Sequence, residues 1–221
     1  MRPSSRLVPV LLVVAAGMFA AAPYIIDTAR YESTMGLVQR IFYFHFPAAM
    51  LMLASAVVCG VASGLYLWRR DSRADDVAVA AAELAVVFGI ITLVTGPLWA
   101  RKAWNAWWVW EPRITSTFLM WMVFNAYLLL RRFGGAGSEV LSAAVGFFGM
   151  ALVPFIYWSV NMWRTMHPKT SVVPNLPVDM GRVLLWCFIA FLVWAVALMI
   201  MRVRLESARR RLDEAYLMLE D

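Results

Sequence analysis

The sequence predicts an all-α integral membrane protein with six transmembrane helices. Hydrophobic residues make up 62% of the 221 residues, charged residues 15%, and the mean hydropathy is +0.70. A soluble domain of this length has an apolar share nearer about half. The apolar residues also fall into six stretches, each close to the roughly 17 to 25 residues that a helix needs to cross about 30 Å of hydrocarbon.

The six stretches are separated by connections that contain nearly all of the charged residues. This pattern predicts a single transmembrane domain, 1–221, with no soluble domain inserted between its helices. The predicted spans are 7–26, 46–68, 77–98, 114–130, 140–160 and 183–201.

The first stretch has some features of a secretory signal peptide. Arg2 and Arg6 precede it, and the alanines at 20–22 resemble a small-residue cleavage site. The apolar part of a signal peptide is usually about 7–15 residues long, whereas this stretch has 20 residues. We therefore expect an uncleaved first helix.

Basic residues in the connections predict the orientation. Twelve lie on the side of the N-terminus and eight on the opposite side, and cytoplasmic connections carry the excess in membrane proteins. Both termini are therefore predicted to be cytoplasmic. The net charge of +6 follows from this topology, and no nucleic-acid partner is needed to explain it.

The connections on the two sides differ in composition. The internal ones, 69–76 and 131–139, are short and predict simple hairpins. The external ones, 27–45, 99–113 and 161–182, contain both histidines and most of the tryptophans. The chemistry of the protein is therefore expected on the external face.

Residues 202–221 are predicted to form a cytoplasmic amphipathic tail that continues the last helix. Apolar residues recur there at coiled-coil spacing, and opposite charges lie four residues apart. The tail is shorter than three heptads, which is too short to establish a coiled coil. It is either a solvated helix or a helix that docks onto a partner subunit.

The two histidines, His45 and His167, are separated by four predicted spans and so lie on the same, external face. Haem iron commonly takes histidine as an axial ligand, and the macrocycle favours apolar and aromatic walls. The pair therefore favours a haem-type site. Zinc is an alternative that needs a third or fourth ligand, from Asp27, Glu32, Glu111 or Asp179. A plain interfacial role for both histidines is the other alternative.

Five tryptophans fall within twelve residues of one external connection. An aromatic belt at the membrane surface would distribute such residues over all helix ends, so this cluster favours a platform for a flat ligand. If the stretch is helical, Trp104, Trp107, Trp108 and Glu111 share one arc, with Trp99 and Trp110 elsewhere. Pro112 restricts such a helix.

Ionisable residues near this segment are candidates for pairing with the carboxylates of a haem. Arg113, Arg101, Lys102 and Arg164 are the candidate partners. Glu83 is different, because it lies inside a predicted span. With no base placed in any span, we expect it to make a buried hydrogen bond in the bundle, rather than to serve transport or a partner.

The segment 93–116, which reads Trp-Trp-Val-Trp-Glu-Pro-Arg at 107–113, resembles the "WWD" signature of the haem-handling superfamily. The best match is the cytochrome c maturation protein C family of haem exporters. His-Phe-Pro-Ala-Ala at 45–49 and Trp-Arg-Thr-Met-His at 163–167 are similar to that family's two external histidine motifs. Glu111 stands where the signature has aspartate, and Ala100 where glycine is usual. The additional histidines within spans that larger haem lyases carry are absent from this sequence.

The resemblance implies a protein that delivers haem rather than an enzyme with turnover. It implies haem b on the periplasmic face of the bacterial inner membrane, with His45 and His167 as axial ligands. It also implies partners: a periplasmic haem chaperone, a small single-span membrane subunit and ABC-type transporter subunits. The implied haem-binding residues are Trp99, Trp104, Trp107, Trp108, Trp110, Glu111 and Arg113.

Two other classes of function compete with this interpretation. A membrane cytochrome b that transfers electrons would hold haem between histidines inside the bilayer, and no predicted span contains a histidine. A permease using Glu83 would need a site near the membrane midplane. It would leave the histidines and the tryptophan cluster unexplained.

Overall fold

The computed structural model describes residues 6–33, 35–135 and 137–220, and it confirms the predicted fold class. Among these residues, six helices are long and apolar enough to cross a membrane. Short 3-10 helices at Leu37–Ile41 and Val173–Asn175 precede the second and sixth of them. The six helices are α1 (Leu7–Asp27), α2 (Phe42–Arg69), α3 (Ser72–Ala103), α4 (Pro112–Phe133), α5 (Ser138–Met162) and α6 (Val178–Glu220).

Helices α2 and α3 form the centre of the bundle. They pack against each other, α5 packs on α2 and α4, and α1 packs mainly on α6. Small residues let these helices approach closely, as is usual in membrane bundles. At Gly89 on α3, for example, a Cβ atom would lie 2.5 Å from the Trp121 ring. The missing side chain lets Trp121 Nε1 donate a hydrogen bond to Val86 O (3.1 Å).

Helices α2 to α6 extend beyond the predicted spans at both ends, and α1 extends by one residue at its C-terminal end. Helix α2 begins at Phe42, so His45 lies in its first turn rather than before it. Helix α6 is 43 residues long and unbroken, and it includes the predicted tail. Asp76 at the start of α3 is buried against this extension, where it accepts hydrogen bonds from Ser207 Oγ (2.5 Å) and Arg210 Nη2 (2.9 Å).

The expectation that Glu83 has no basic partner in the bundle is wrong. Arg202 Nε and Nη2 both donate to the Glu83 carboxylate. Arg202 lies just past the predicted sixth span, but α6 packs along α3, so its long side chain reaches the acid. A nearby pair, Arg131 Nη2 and Asp75 Oδ2 (2.7 Å), joins α4 to the start of α3.

Because consecutive helices run in opposite directions, three connections lie at the end of the bundle opposite the start of α1. These are the segments 28–41, 104–111 and 163–177, which link α1 to α2, α3 to α4, and α5 to α6. The three connections are the ones predicted to be external. They cover the end of the bundle where the two histidines lie.

Candidate functional site

His45 is held by α3 in an orientation that leaves one ring nitrogen available. Its Nδ1 lies 2.8 Å from Thr95 Oγ1. The Thr95 hydroxyl donates its own proton to Ile91 O (2.7 Å), one turn earlier on α3. The hydroxyl oxygen therefore accepts a hydrogen bond from His45 Nδ1–H. This tautomer leaves the Nε2 lone pair free to bind a metal.

His167 reaches the same tautomer by a different route. It lies in the connection between α5 and α6, with Nδ1 at 3.0 Å from Pro168 O. A carbonyl oxygen can only accept, so Nδ1 carries the proton and Nε2 is free. Burial, with a smaller contribution from the charge of Arg113, lowers the pKa of His167 from 6.5 to about 3. The imidazole is therefore neutral at physiological pH, as a metal ligand must be.

The spacing of the two imidazoles is compatible with a single metal ion bound between them. Their ring centroids are 6.5 Å apart and their planes are inclined by 44°. Two imidazoles that bind one ion from opposite sides, with metal–nitrogen distances of about 2.0–2.1 Å, have ring centres about 6 Å apart. The described residues hold no group of three or more histidine, cysteine or acidic side chains that could bind a metal. A two-ligand haem iron therefore fits this donor set better than zinc does.

Both histidines line a cavity of about 240 Å³. It lies between α2, α3, α4 and α5, below the connection that carries His167. Its walls are mainly apolar and aromatic, as expected for a site that takes a large flat ligand. Lining residues from the four helices and this connection include Phe42, Phe46, Leu93, Ile114, Ile156 and Pro174.

Four of the five clustered tryptophans line this cavity: Trp99, Trp104, Trp107 and Trp108. The ring of Trp99 packs edge-on against His45 with centroids 5.8 Å apart, and it stacks on Trp104 at 6.3 Å and 23°. Trp110 is not among the lining residues and is 72% exposed. The stacked pair supplies a flat aromatic wall beside the first histidine.

The tryptophan segment is not helical, so the condition for a shared arc of Trp104, Trp107, Trp108 and Glu111 is not met. Helix α3 ends at Ala103, and residues 104–111 are not helical. Asn105 has a φ of 56°, in the left-handed region, and Pro112 begins α4 as its first residue. Because α3 extends past its predicted end, Trp99 lies on this helix and faces His45. A helical segment would have placed it away from Trp104, Trp107 and Trp108.

The basic residues of the tryptophan segment and of the connection that carries His167 form two groups. Arg113 and Lys169 line the cavity, whereas Arg101, Lys102 and Arg164 do not. Arg101 instead donates to Asn105 Oδ1 and lies over the Trp107 ring. Trp108 Nε1 is a buried donor without a hydrogen-bond partner in the described part of the chain. The cavity therefore offers two cations, which suits a ligand with anionic groups.

Glu111 lies behind the cavity wall rather than in it. It is 7% exposed, and it is not among the lining residues. Its Oε2 accepts a hydrogen bond from the backbone N–H of Met166, with an N···O distance of 3.0 Å. The carboxylate thus joins the tryptophan segment to the connection that carries His167.

Sequence reasoning missed Thr95 and Lys169. Thr95 lies within the third predicted span, 50 residues from His45 in the chain, so only the packing of α2 on α3 brings the two together. Lys169 follows His167 by two residues and could have been found as the nearest cation. The fold reveals Thr95 because α2 packs on α3, and it reveals Lys169 because the connection that carries His167 crosses the cavity.

Comparisons with known proteins show the family of the chain. The family model for Heme exporter protein C matches residues 1–218. Proteins named Heme exporter protein C are 30% identical to the chain in Bradyrhizobium diazoefficiens, over 97% of this chain and 84% of the relative, and in Escherichia coli, over 75% and 69%. A putative cytochrome c biosynthesis ccmC-like mitochondrial protein of Marchantia polymorpha is 32% identical over 60% and 57%. The chain therefore belongs to the Heme exporter protein C family.

Proposed function

We propose that this protein binds one haem b between His45 and His167 on the periplasmic face of a bacterial inner membrane and presents it to a periplasmic haem chaperone for cytochrome c biogenesis. The observation that carries the proposal is the histidine pair. The ring centroids are 6.5 Å apart, both tautomers leave Nε2 free, and an aromatic cavity lies beside the rings. Relatives named as haem exporters support the same ligand.

The side chains of the cavity have separate roles in this proposal. A bound haem supplies an iron with two axial positions and two carboxylates on one edge. His45 and His167 hold the axial positions, while Trp99, Trp104, Trp107 and Trp108 exclude water from the ring faces. Arg113 and Lys169 pair with the carboxylates.

The two histidines differ in the rigidity of their backbone, which suits delivery. His45 is fixed on α2 and held by Thr95. His167 lies in a non-helical connection, whose hydrogen bonds include those from His167 N to Thr165 Oγ1 and from Asn161 Nδ2 to Thr170 Oγ1. Release of His167 first would open one side of the ligand to a partner. The protein would then orient its ligand without catalysing a turnover.

The proposed partners follow from the position of the cavity and from the family. The chaperone would approach the end covered by the three external connections. The excess of basic residues at the other end supports placing that end in the cytoplasm. A small single-span subunit and ABC-type transporter subunits complete the proposed assembly within the membrane.

An absorption spectrum of the protein purified from haem-sufficient cells tests the proposal. We expect a Soret band with a low-spin, bis-histidine pattern. His45→Ala and His167→Ala should each weaken haem retention, and the double variant should lose it while still inserting into the membrane. Full haem retention in the double variant would contradict the proposal.

The competing classes find less support in the described residues. The permease interpretation needs a free Glu83, but this acid is paired with Arg202. It also lies about 14 Å along α3 from Thr92, the nearest residue of that helix that lines the cavity. The permease interpretation predicts a protein without a Soret band. The electron-transfer interpretation needs histidines deep in the bilayer, whereas His45 is in the first turn of its helix.

A further inference from the structure

Glu111 is an acid at the start of a helix that does not cap its own helix. It is the N-cap residue of α4, and its backbone carbonyl accepts from Thr115 N (2.9 Å). N-cap side chains usually accept a hydrogen bond from the second or third residue of their helix. The Glu111 side chain makes no such bond. Its carboxylate is therefore directed elsewhere.

The carboxylate is buried at the contact between two connections. Oε2 accepts from Met166 N at 3.0 Å, 55 residues away in the chain. Oε1 is buried and has no hydrogen-bond partner among the residues described. Burying a carboxylate costs free energy unless hydrogen bonds compensate for lost hydration. The bond to Met166 N is thus the compensation that this side chain receives.

Met166 immediately precedes His167, so a bond to its amide controls the backbone that carries the imidazole. Glu111 itself is fixed, because it begins α4 next to Pro112 and its own N–H donates to Val109 O (2.9 Å). Resting on the proposed function, we infer that Glu111 is a positioning residue: through Met166 N–H it holds His167 at the distance from His45 that binding of one iron requires.

The inference distinguishes two properties of the carboxylate, its acceptor oxygen and its charge. Glu111→Gln keeps a carbonyl oxygen on a side chain of the same length and removes the charge. Glu111→Ala removes both. Because Met166 N–H needs only an acceptor, the Gln variant should behave like the parent protein, and the Ala variant should not.

Amide hydrogen exchange on the haem-free protein measures the contact directly. In Glu111→Ala we expect exchange at Met166 to be faster by about tenfold or more, since the amide loses its acceptor. In Glu111→Gln it should stay within about twofold of the parent. Asp179→Asn is the matched control, because Asp179 accepts from Arg30 N (3.1 Å) and Nε (2.9 Å) at the exposed start of α6. It should leave exchange at Met166 unchanged.

The spin state of bound haem supplies the second measurement. Glu111→Ala should lose most of the low-spin signal while keeping His45 as a ligand, and added free imidazole should restore it. Glu111→Gln and Asp179→Asn should keep the signal. Size-exclusion profiles identify any variant that fails to fold. If Glu111→Ala fails to fold, the measurements on Glu111→Gln test the inference.

The outcomes separate this inference from the proposed function. A parent protein without a low-spin haem spectrum contradicts the proposed function. A parent protein with that spectrum, together with an unchanged Glu111→Ala, contradicts the inference alone. Equal loss in the Ala and Gln variants also contradicts it, since the charge would then matter rather than the hydrogen bond.

Discussion

At the scale of single residues, the chemistry of the site depends on the hydrogen bonds that fix each imidazole. The ring of His45 is oriented by a hydroxyl on another helix, and the ring of His167 by the carbonyl of the next residue. Such partners set the tautomer and the ring orientation, and their loss typically costs about 10- to 100-fold in metal affinity. The two contacts therefore deserve separate tests.

Thr95→Val tests the contact to His45 with little change in side-chain shape. The variant loses the acceptor for His45 Nδ1–H, so we expect haem affinity to fall about tenfold, measured by titration in detergent at the Soret band. Thr92→Val is the matched control. Thr92 also lines the cavity, but its hydroxyl donates to Phe88 O (2.9 Å) on its own helix rather than holding a histidine. Equal losses in both variants would contradict the role of Thr95.

Arg113→Gln tests whether the cavity recognises the carboxylates of haem. A hydrogen bond to a charged group contributes about 1.5–3 kcal/mol, so we expect haem affinity to fall about tenfold or more. Affinity for the dimethyl ester of haem, which lacks the negative charges, should change little. Arg101→Gln is the control, because Arg101 bonds to Asn105 and lies outside the cavity lining. A larger effect of Arg101→Gln would reverse the assignment.

At the scale of elements, the tryptophan segment acts through its departure from helical geometry. The end of α3 carries Trp99, and the non-helical chain after Ala103 then brings Trp104, Trp107 and Trp108 to the cavity. Trp110 faces outward, toward solvent or a partner. Rings that are adjacent in sequence therefore have different surroundings.

Replacing single rings with alanine tests this division. Trp104→Ala removes the ring that stacks on Trp99, and aromatic pairs contribute about 0.5–1.5 kcal/mol beyond their buried area. We therefore expect haem affinity to fall about three- to tenfold. Trp110→Ala should change it by less than about twofold, since this ring lies outside the cavity lining. Comparable losses in both variants would contradict the geometry of the segment.

The elements also show why sequence reasoning predicted the helices but left the geometry of the tryptophan segment open. Spans of apolar residues have a length imposed by the membrane, so the six helices contain the six predicted stretches. A short connection has no such constraint. Asn105 in the left-handed region and the position of the α3 end decide which rings meet His45, and neither follows from the spacing of tryptophans. The bond from Met166 to Glu111 joins two connections and depends on the same geometry.

At the scale of the whole molecule, the two ends of the bundle differ in kind. One end carries the aromatic cavity and the two histidines. Near the other, α3 is joined to α4 and α6 by ion pairs at Asp75, Asp76 and Glu83. Sequence reasoning missed the partner of Glu83 because it counted residues only to the end of the sixth span. An arginine just beyond that end has a side chain long enough to reach back into the bundle. We interpret the ion pairs as structural, with α6 held in place along α3.

A double-mutant cycle on Glu83 and Arg202 tests this structural role. The two side chains are 29% and 27% exposed, so removing either should leave the other charge poorly solvated and lower the free energy of unfolding by about 1–3 kcal/mol. In Glu83→Ala/Arg202→Ala the loss should be smaller than the sum, with a coupling energy of about 0.5–3 kcal/mol. The free energy of unfolding of each variant is measured by denaturant titration in detergent.

The pair Asp27 and Arg40 is the matched control for the same cycle. It has a normal ion-pair distance of 2.8 Å, but Asp27 is 72% exposed, so its coupling energy should stay below about 1 kcal/mol. Haem affinity should be unchanged in the Glu83 and Arg202 variants that fold, because about 14 Å of α3 separates Glu83 from Thr92, the nearest residue of that helix in the cavity lining. Loss of haem binding in a folded Glu83→Ala variant would contradict the separation of the two ends. Glu83 would then again be a candidate functional residue.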